Sequence, residues 1–271
     1  MDGGLEGVTM SGKASLEFTN DGAVARITLT AGKANIVDVA MMDALLEAFA
    51  GASEQPALHA IVLGSASPHF SFGASIEEHL PDRIAGTLAR LGEVLRAIAA
   101  APAPTIAAVT GLCLGGGLEL VLACDLVVAD ETAQFALPEI KLAVFPPAGA
   151  ALLPARIGAA HASEMILTGA NWTAAQAHAA GLVTRLCAAG DAESTLRLWL
   201  ESDFLPRSPI ALHYAAMAAR RPVIHALQHD LPELERMYLH DLMSNADPEE
   251  GIRAFLEKRA PVWHAATGAH A

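Results

Sequence analysis

The chain has 271 residues, of which 53% are hydrophobic and 17% charged, and its formal net charge is −13. That much apolar surface offsets the entropy of ordering and excludes disorder as the main state; the length suits one large domain, or one domain with an appendage. Seventeen basic residues against thirty acidic ones argue against a nucleic-acid partner, whose phosphates call for clustered Lys and Arg.

The low charge content suggests that other subunits cover part of the surface. Cys113, Cys124 and Cys187 sit in apolar stretches without ligand spacing, which predicts reduced, buried thiols and no metal site. No dinucleotide fingerprint is present either, so no cofactor is expected. Residues 1–15 read as a loose leader, too acidic and glycine-rich for a targeting signal. Residues 97–118 carry no charge over a length that could span a bilayer, but Pro102, Pro104, Gly111 and Gly115–Gly117 divide them. No membrane partner and a cytoplasmic location are the expectations.

In chain order, residues 16–18 and 23–29 alternate apolar and polar around Asp21-Gly22, which predicts a hairpin. Residues 39–50 place Met42, Leu45, Leu46 and Phe49 on one helical face, with Asp38 as N-cap. HAIVLG (59–64) reads as a buried strand, followed by a loop rich in Ser, Phe and Gly. A helix is predicted over 83–100, ended by Pro102 and Pro104, and TIAAV (105–109) is a second buried strand. A glycine turn, a helix (118–123), strands at 125–129 and 134–136 and a loop come next. After a strand at 183–186, only helices are expected from about 191 to the end. Alternation of this kind predicts an α/β core with crossover connections, its ββα spacing loosely repeated, and a helical appendage.

Three stretches carry chemistry: HFSFGAS (69–75), GLCLGGGLE (111–119) and QFALPEIKL (134–142). In the first two, small residues after a buried strand let the backbone approach a ligand and leave N–H groups without strand partners. Two such turns could aim two donors at one developing oxyanion, with the helix dipole at Gly116 adding to the effect. Glu119, in an otherwise apolar helix, is either a first-turn complement to that dipole or a working carboxylate. Glu139 alone could be a surface acid paired with Lys141; beside Glu119 it could share proton transfer and water positioning.

These residues resemble the crotonase (enoyl-CoA hydratase/isomerase) superfamily. The likeness rests on GLCLGGGLELVLACDLVVA and on QFALPEIKL, with Glu139 twenty positions after Glu119, and extends through TGANWTAAQAHAAGLV to FLEKR. It implies an α/β spiral of ββα units, with core, coenzyme A site and active site in 16–190. The helical region 191–271 would serve oligomerisation and site closure. It further implies that Ala74 and Gly116 offer the N–H groups for the thioester oxygen. Glu119 and Glu139 would be the acid/base pair, and Lys33, Ala34, Gly73 and Lys258 would lie along coenzyme A. An acyl-CoA substrate, which brings its own coenzyme, and a homo-oligomer (a trimer or a dimer of trimers) follow from the same likeness.

Within that family, Ser75 replaces the usual Asp, His79 stands near the expected acyl pocket, and the loop LAVFPPAGA (142–150) has Phe145, Pro146 and Pro147 where glycines are usual. Such a stiff, bulky wall suits a compact ring. KANIVD (33–38), HFSFGASIEEHLPD (69–82) and PEIKLAVFPPA (138–148) resemble a narrower group, the cyclohexa-1,5-diene-1-carbonyl-CoA hydratases of anaerobic benzoyl-CoA degradation. Those enzymes give 6-hydroxycyclohex-1-ene-1-carbonyl-CoA, with addition at the far end of the diene. The rivals are a straight-chain enoyl-CoA hydratase, a ring-opening 6-oxocyclohexene-carbonyl-CoA hydrolase, and a non-catalytic acyl-CoA- or RNA-binding relative. His69 and His79 read first as packing or hydrogen-bonding residues.

Overall fold

The computed structural model describes residues 12–264. Strands β1 (Ala14–Thr19) and β2 (Val24–Leu29) form the expected hairpin, antiparallel from Ala14↔Leu29 to Thr19↔Val24. Of the predicted leader, residues 1–11 lie outside the described residues, and 14–15 already belong to β1.

Helix α1 (Val39–Glu54) starts where Asp38 accepts the Met41 N–H, satisfying one of the donors that a helix start leaves free. Strand β3 (Ala60–Ser65) is buried on both faces and leads to a 3-10 turn (Ile76–His79) and α2 (Ile84–Ala99). Strand β4 (Thr105–Val109), short strand β5 (Leu112–Leu114) and α3 (Gly116–Ala123) follow, then β6 (Leu126–Asp130) and β7 (Gln134–Ala136).

A second 3-10 turn (Pro138–Leu142) precedes α4 (Pro147–Ile157) and α5 (Ala159–Thr168). The expected loop over 142–150 is therefore much shorter. Pro147 occupies the first turn of α4, where its missing N–H costs nothing and its fixed φ suits a helix. Strand β8 (Trp172–Thr173), α6 (Ala174–Ala179) and β9 (Arg185–Cys187) complete the α/β part.

Six strands form the main sheet in the order β1-β2-β3-β4-β6-β9, parallel from β2 onward. A smaller sheet, β5-β7-β8, gains bridges from Val37 to Ala74 and from Ser71 to Cys113. Successive turns of chain thus add one strand to the main sheet, one short segment to the smaller one, and a helix. This is the ββα spiral that the sequence predicts.

Period-two alternation divides the central strands β3, β4 and β6 between two cores. Ile61, Leu63, Ala107, Val109, Val127 and Ala129 face the helices, whereas Val62, Ile106 and Val128 pack under Leu196, Trp199, Leu200 and Phe204. Those last four lie on α7 (Ala192–Trp199) and the π turn Leu200–Phe204.

Helices α8 (Pro209–Ala219), α9 (Arg221–His225), α10 (Leu231–Arg236) and α11 (Ala246–Leu256) complete the C-terminal region, with π turns at Ala226–Asp230 and Met237–Leu242. The helices end at Leu256: residues 257–264 are turn and coil, tied back where Arg259 meets Glu250 and His264 meets Asp247. Residues 265–271, expected to be helical, lie outside the described residues.

Arg220 pins this region to the core. Its guanidinium grips both carboxylate oxygens of Asp125 at 2.8 and 2.7 Å and donates to the Ala103 carbonyl at 2.6 Å. Cys113 and Cys124 are buried as expected, while Cys187 is half-buried; all three are free thiols.

Candidate active site

The small sheet sets the geometry. Ser71 N–H donates to Leu112 O and Leu114 N–H to Ser71 O, each at 3.0 Å, so segment 71–74 runs alongside β5. On the other side, β5 pairs in parallel with β7, and the ladder extends one step as Gly115 N–H reaches Ala136 O at 2.9 Å. The chain ends that emerge from these three parallel segments carry Ala74, Gly116 and Glu139 in adjacent positions.

A methyl group on Gly116 would stand 3.3 Å from the Ala74 nitrogen, so the two backbones lie against each other. Neither the Ala74 nor the Gly116 N–H donates to an acceptor among the described residues. Two free donors side by side, one of them at the start of α3, suit an anionic oxygen. The preceding turn requires glycine. Gly115 has φ +47°, and a Cβ there would meet Glu139 Oε1 at 2.6 Å.

Glu119 lies one turn into α3 and is 4% exposed. Its Oε1 accepts the Gly149 N–H at 2.8 Å, so the first turn of α4 caps a carboxylate from α3. Glu139 is half-buried as a residue, but its Oε2 is sealed from water and without a hydrogen-bond partner among the described residues. Burial pushes Glu119 up to about 7 against the pull of the Gly149 and Ala148 N–H groups, with the charge of Glu235 adding to the rise. Burial, and then the neighbouring charge of Glu119, push Glu139 up to about 8. Near neutrality such a pair can hold one proton between two oxygens-rich groups, which equips it both to accept and to donate.

The remaining predicted residues are spread more widely. Gly73 N–H donates to Ser71 Oγ at 3.0 Å, the Ala34 carbonyl accepts from Phe72 N–H at 2.8 Å, and exposed Lys33 borders a cleft with Leu29, Gly32, Ala66 and Ser67. Lys258 is exposed beyond α11. His79 turns its Nδ1 to its own Ser75 carbonyl at 2.7 Å, and burial lowers its pKa. His69 Nδ1 accepts the Leu112 N–H at 3.1 Å and so ties two loops together. Pro146 and Pro147 are buried at the start of α4, and the Phe145 ring meets Tyr238 edge-on with centroids 5.5 Å apart.

Three neighbours of the site were not anticipated. Asn35, 0% exposed, accepts the Ala31 N–H and donates to Ser65 Oγ and the Phe70 carbonyl. Ser71 Oγ donates to the Asn35 carbonyl at 2.7 Å, which completes the lacing under Ala74. The third is Tyr238, buried, with a phenol pushed up by burial and by the charges of Glu139 and Glu119. Among the described residues, no group of three or more His, Cys, Asp or Glu could hold a metal ion. No helix among them is long and apolar enough to cross a membrane.

Comparison with known proteins adds four findings. The sequence profile described as enoyl-CoA hydratase/isomerase matches residues 19–266. A cyclohexa-1,5-dienecarbonyl-CoA hydratase of Thauera aromatica is 40% identical over 243 residues, covering 90% of this chain and 93% of that protein. A 2,3-dehydroadipyl-CoA hydratase of Escherichia coli K12 is 38% identical, covering 84% and 89% respectively. Among solved structures, an enoyl-CoA hydratase of Mycobacterium avium subsp. paratuberculosis superimposes with a TM-score of 0.81 at 28% identity, over 93% of this chain and 99% of that one.

Proposed function

The chain belongs to the enoyl-CoA hydratase/isomerase family, and from that premise we propose that it hydrates cyclohexa-1,5-diene-1-carbonyl-CoA to 6-hydroxycyclohex-1-ene-1-carbonyl-CoA. It is a hydro-lyase of the enoyl-CoA hydratase type acting on an acyl-CoA. The observation that carries the chemistry is the pair of buried carboxyl groups, Glu119 and Glu139, beside the free N–H groups of Ala74 and Gly116. The wall of Phe145 and the two prolines, together with the 40% identity to the Thauera enzyme, favours the ring over a straight chain.

In this reading the thioester oxygen sits between the Ala74 and Gly116 N–H groups. An ionised carboxylate of the Glu119/Glu139 pair takes a proton from water as the water oxygen bonds to the β-carbon. The displaced electron pair moves onto the thioester oxygen, where the two donors and the α3 dipole stabilise it. It returns as the protonated partner gives a proton to the ring carbon at the other end of the diene, leaving one double bond conjugated with the thioester. One water is consumed and no electrons are exchanged, so the reaction requires no redox cofactor, and none is proposed. Lys33, Ala34, Gly73 and Lys258 would run along the coenzyme.

We further infer a homo-oligomer, a trimer or a dimer of trimers. Ile210, Tyr214 and Met217 recur on one face of α8 and are 61%, 63% and 47% exposed, a stripe suited to a second copy. Light scattering of the purified protein tests this; a monomer would refute it. A cytoplasmic location is part of the same proposal.

The substrate is tested by incubating the protein separately with the diene thioester and with crotonyl-CoA, and following water gain by mass. Preference for the ring is expected. Preference for crotonyl-CoA would leave a general straight-chain hydratase, and an acyclic diacid product would mean ring-opening hydrolysis. Water gain by neither would overturn the two-carboxylate reading.

A further inference from the structure

Tyr238 is 1% exposed, and its hydroxyl has no hydrogen-bond partner among the described residues. Glu139 Oε2 is in the same condition. An O–H donor and a carboxylate acceptor left unpaired in apolar surroundings are costly, and such groups in a folded protein call for an explanation. Here they share a neighbourhood. Tyr238 packs edge-on to Phe145, on the short connection between the Glu139 turn and α4, and negative charge at Glu139 and Glu119 bears on the phenol.

The ring is held firmly. Ile84, Leu88, Leu142 and Val144 cluster with it, and it projects from the π turn Met237–Leu242. A π turn changes the angular spacing of side chains along a helix, and such turns recur at functional sites. Tyr238 is thus a locked phenol that the C-terminal region packs against the connection leading out of the Glu139 turn.

We propose that the Tyr238 hydroxyl is a further substrate-facing group, donating a hydrogen bond to the oxygen that is added to the acyl group while that oxygen's own proton faces Glu139 Oε2. A hydroxyl can accept from a phenol and donate to a carboxylate at once, so one added oxygen satisfies both unpaired groups. The inference rests on the hydratase reading above and extends it, because Tyr238 would then recognise the hydroxyl and not the coenzyme or the ring.

Tyr238→Phe removes only the hydroxyl and keeps the packing. Binding of two thioesters that differ by one oxygen, 6-hydroxycyclohex-1-ene-1-carbonyl-CoA and cyclohex-1-ene-1-carbonyl-CoA, is measured by calorimetry for wild type and variant. The variant should bind the hydroxylated thioester about tenfold more weakly and the other equally well, and its kcat for hydration should fall by about tenfold or more. Equal weakening of both ligands, or of neither, would overturn the proposal. If the wild type hydrates crotonyl-CoA and ignores the ring, the substrate reading fails separately. The same comparison with 3-hydroxybutyryl-CoA and butyryl-CoA then decides Tyr238 by the same criterion.

Discussion

Glu119 on α3 takes the Gly149 N–H from the first turn of α4 at 2.8 Å, so its carboxylate is held by a backbone group thirty residues further along the chain. Burial raises the cost of its charge, and this bond, with the positive end of α4, lowers that cost. The balance leaves a carboxyl group poised near neutrality, which is where an acid/base group is most effective.

Replacing either carboxyl by its amide removes the proton but keeps the shape. Glu119→Gln and Glu139→Gln are each expected to lower turnover by about 10²–10⁴-fold. Binding of a saturated acyl-CoA should change little. Steady-state kinetics and calorimetry on the same preparations check both halves, and near-full activity of either variant would remove that residue from the mechanism.

The same variants should be more stable than wild type at high pH. Both carboxyls titrate higher in the folded chain than their ordinary 4.5, at about 7 and about 8. The folded state therefore holds protons that the unfolded state has released, and stability falls as pH rises from about 4.5 to about 8. Either amide substitution escapes that loss. No gain is expected below pH about 4, and a gain on the order of a few kcal/mol above pH about 8. Thermal melts across that range would show the difference opening with pH; a constant offset would contradict it.

Gly115→Ala meets two obstacles at once, the positive φ of +47° and the Glu139 oxygen 2.6 Å from the new methyl. A stability loss of about 1 kcal/mol or more is expected from the backbone alone. Displacement of Glu139 should add at least about a tenfold loss of kcat. Measuring both separates strain from catalysis.

Arg220→Met would leave Asp125 charged and without its buried partner. A cost of about 3–5 kcal/mol is expected, and the double substitution with Asp125→Asn should cost less than the sum of the two singles. Denaturant titration checks the coupling. Additive losses would show that the pair contributes no mutual stabilisation.

Much of this site can be read from the sequence, because its groups are local to motifs. Asp38, the strand 105–109, the Gly116 helix start and the Glu119/Glu139 spacing each follow from patterns within a few residues. The groups that escape notice depend on long-range placement. Asn35 looks like an ordinary loop residue until its side chain is seen bonded thirty to thirty-five positions away, to Ser65 and Phe70. Tyr238 sits in a helix whose π turn no local periodicity reveals. The Pro146-Pro147 pair reads as a stiff loop, although a proline in the first turn is also a helix start, and that signal for α4 and its cap on Glu119 lay in plain view.

Gly116 and Glu119 stand three positions apart on α3, whereas Glu139 arrives on a separate turn of the spiral. The first two are therefore yoked: any tilt of α3 moves the oxygen donor and one acid together. The third can be shifted alone by editing residues 138–146. Retargeting this scaffold to new thioesters is accordingly a problem with one adjustable carboxylate, with the rest of the constellation serving as a fixed datum.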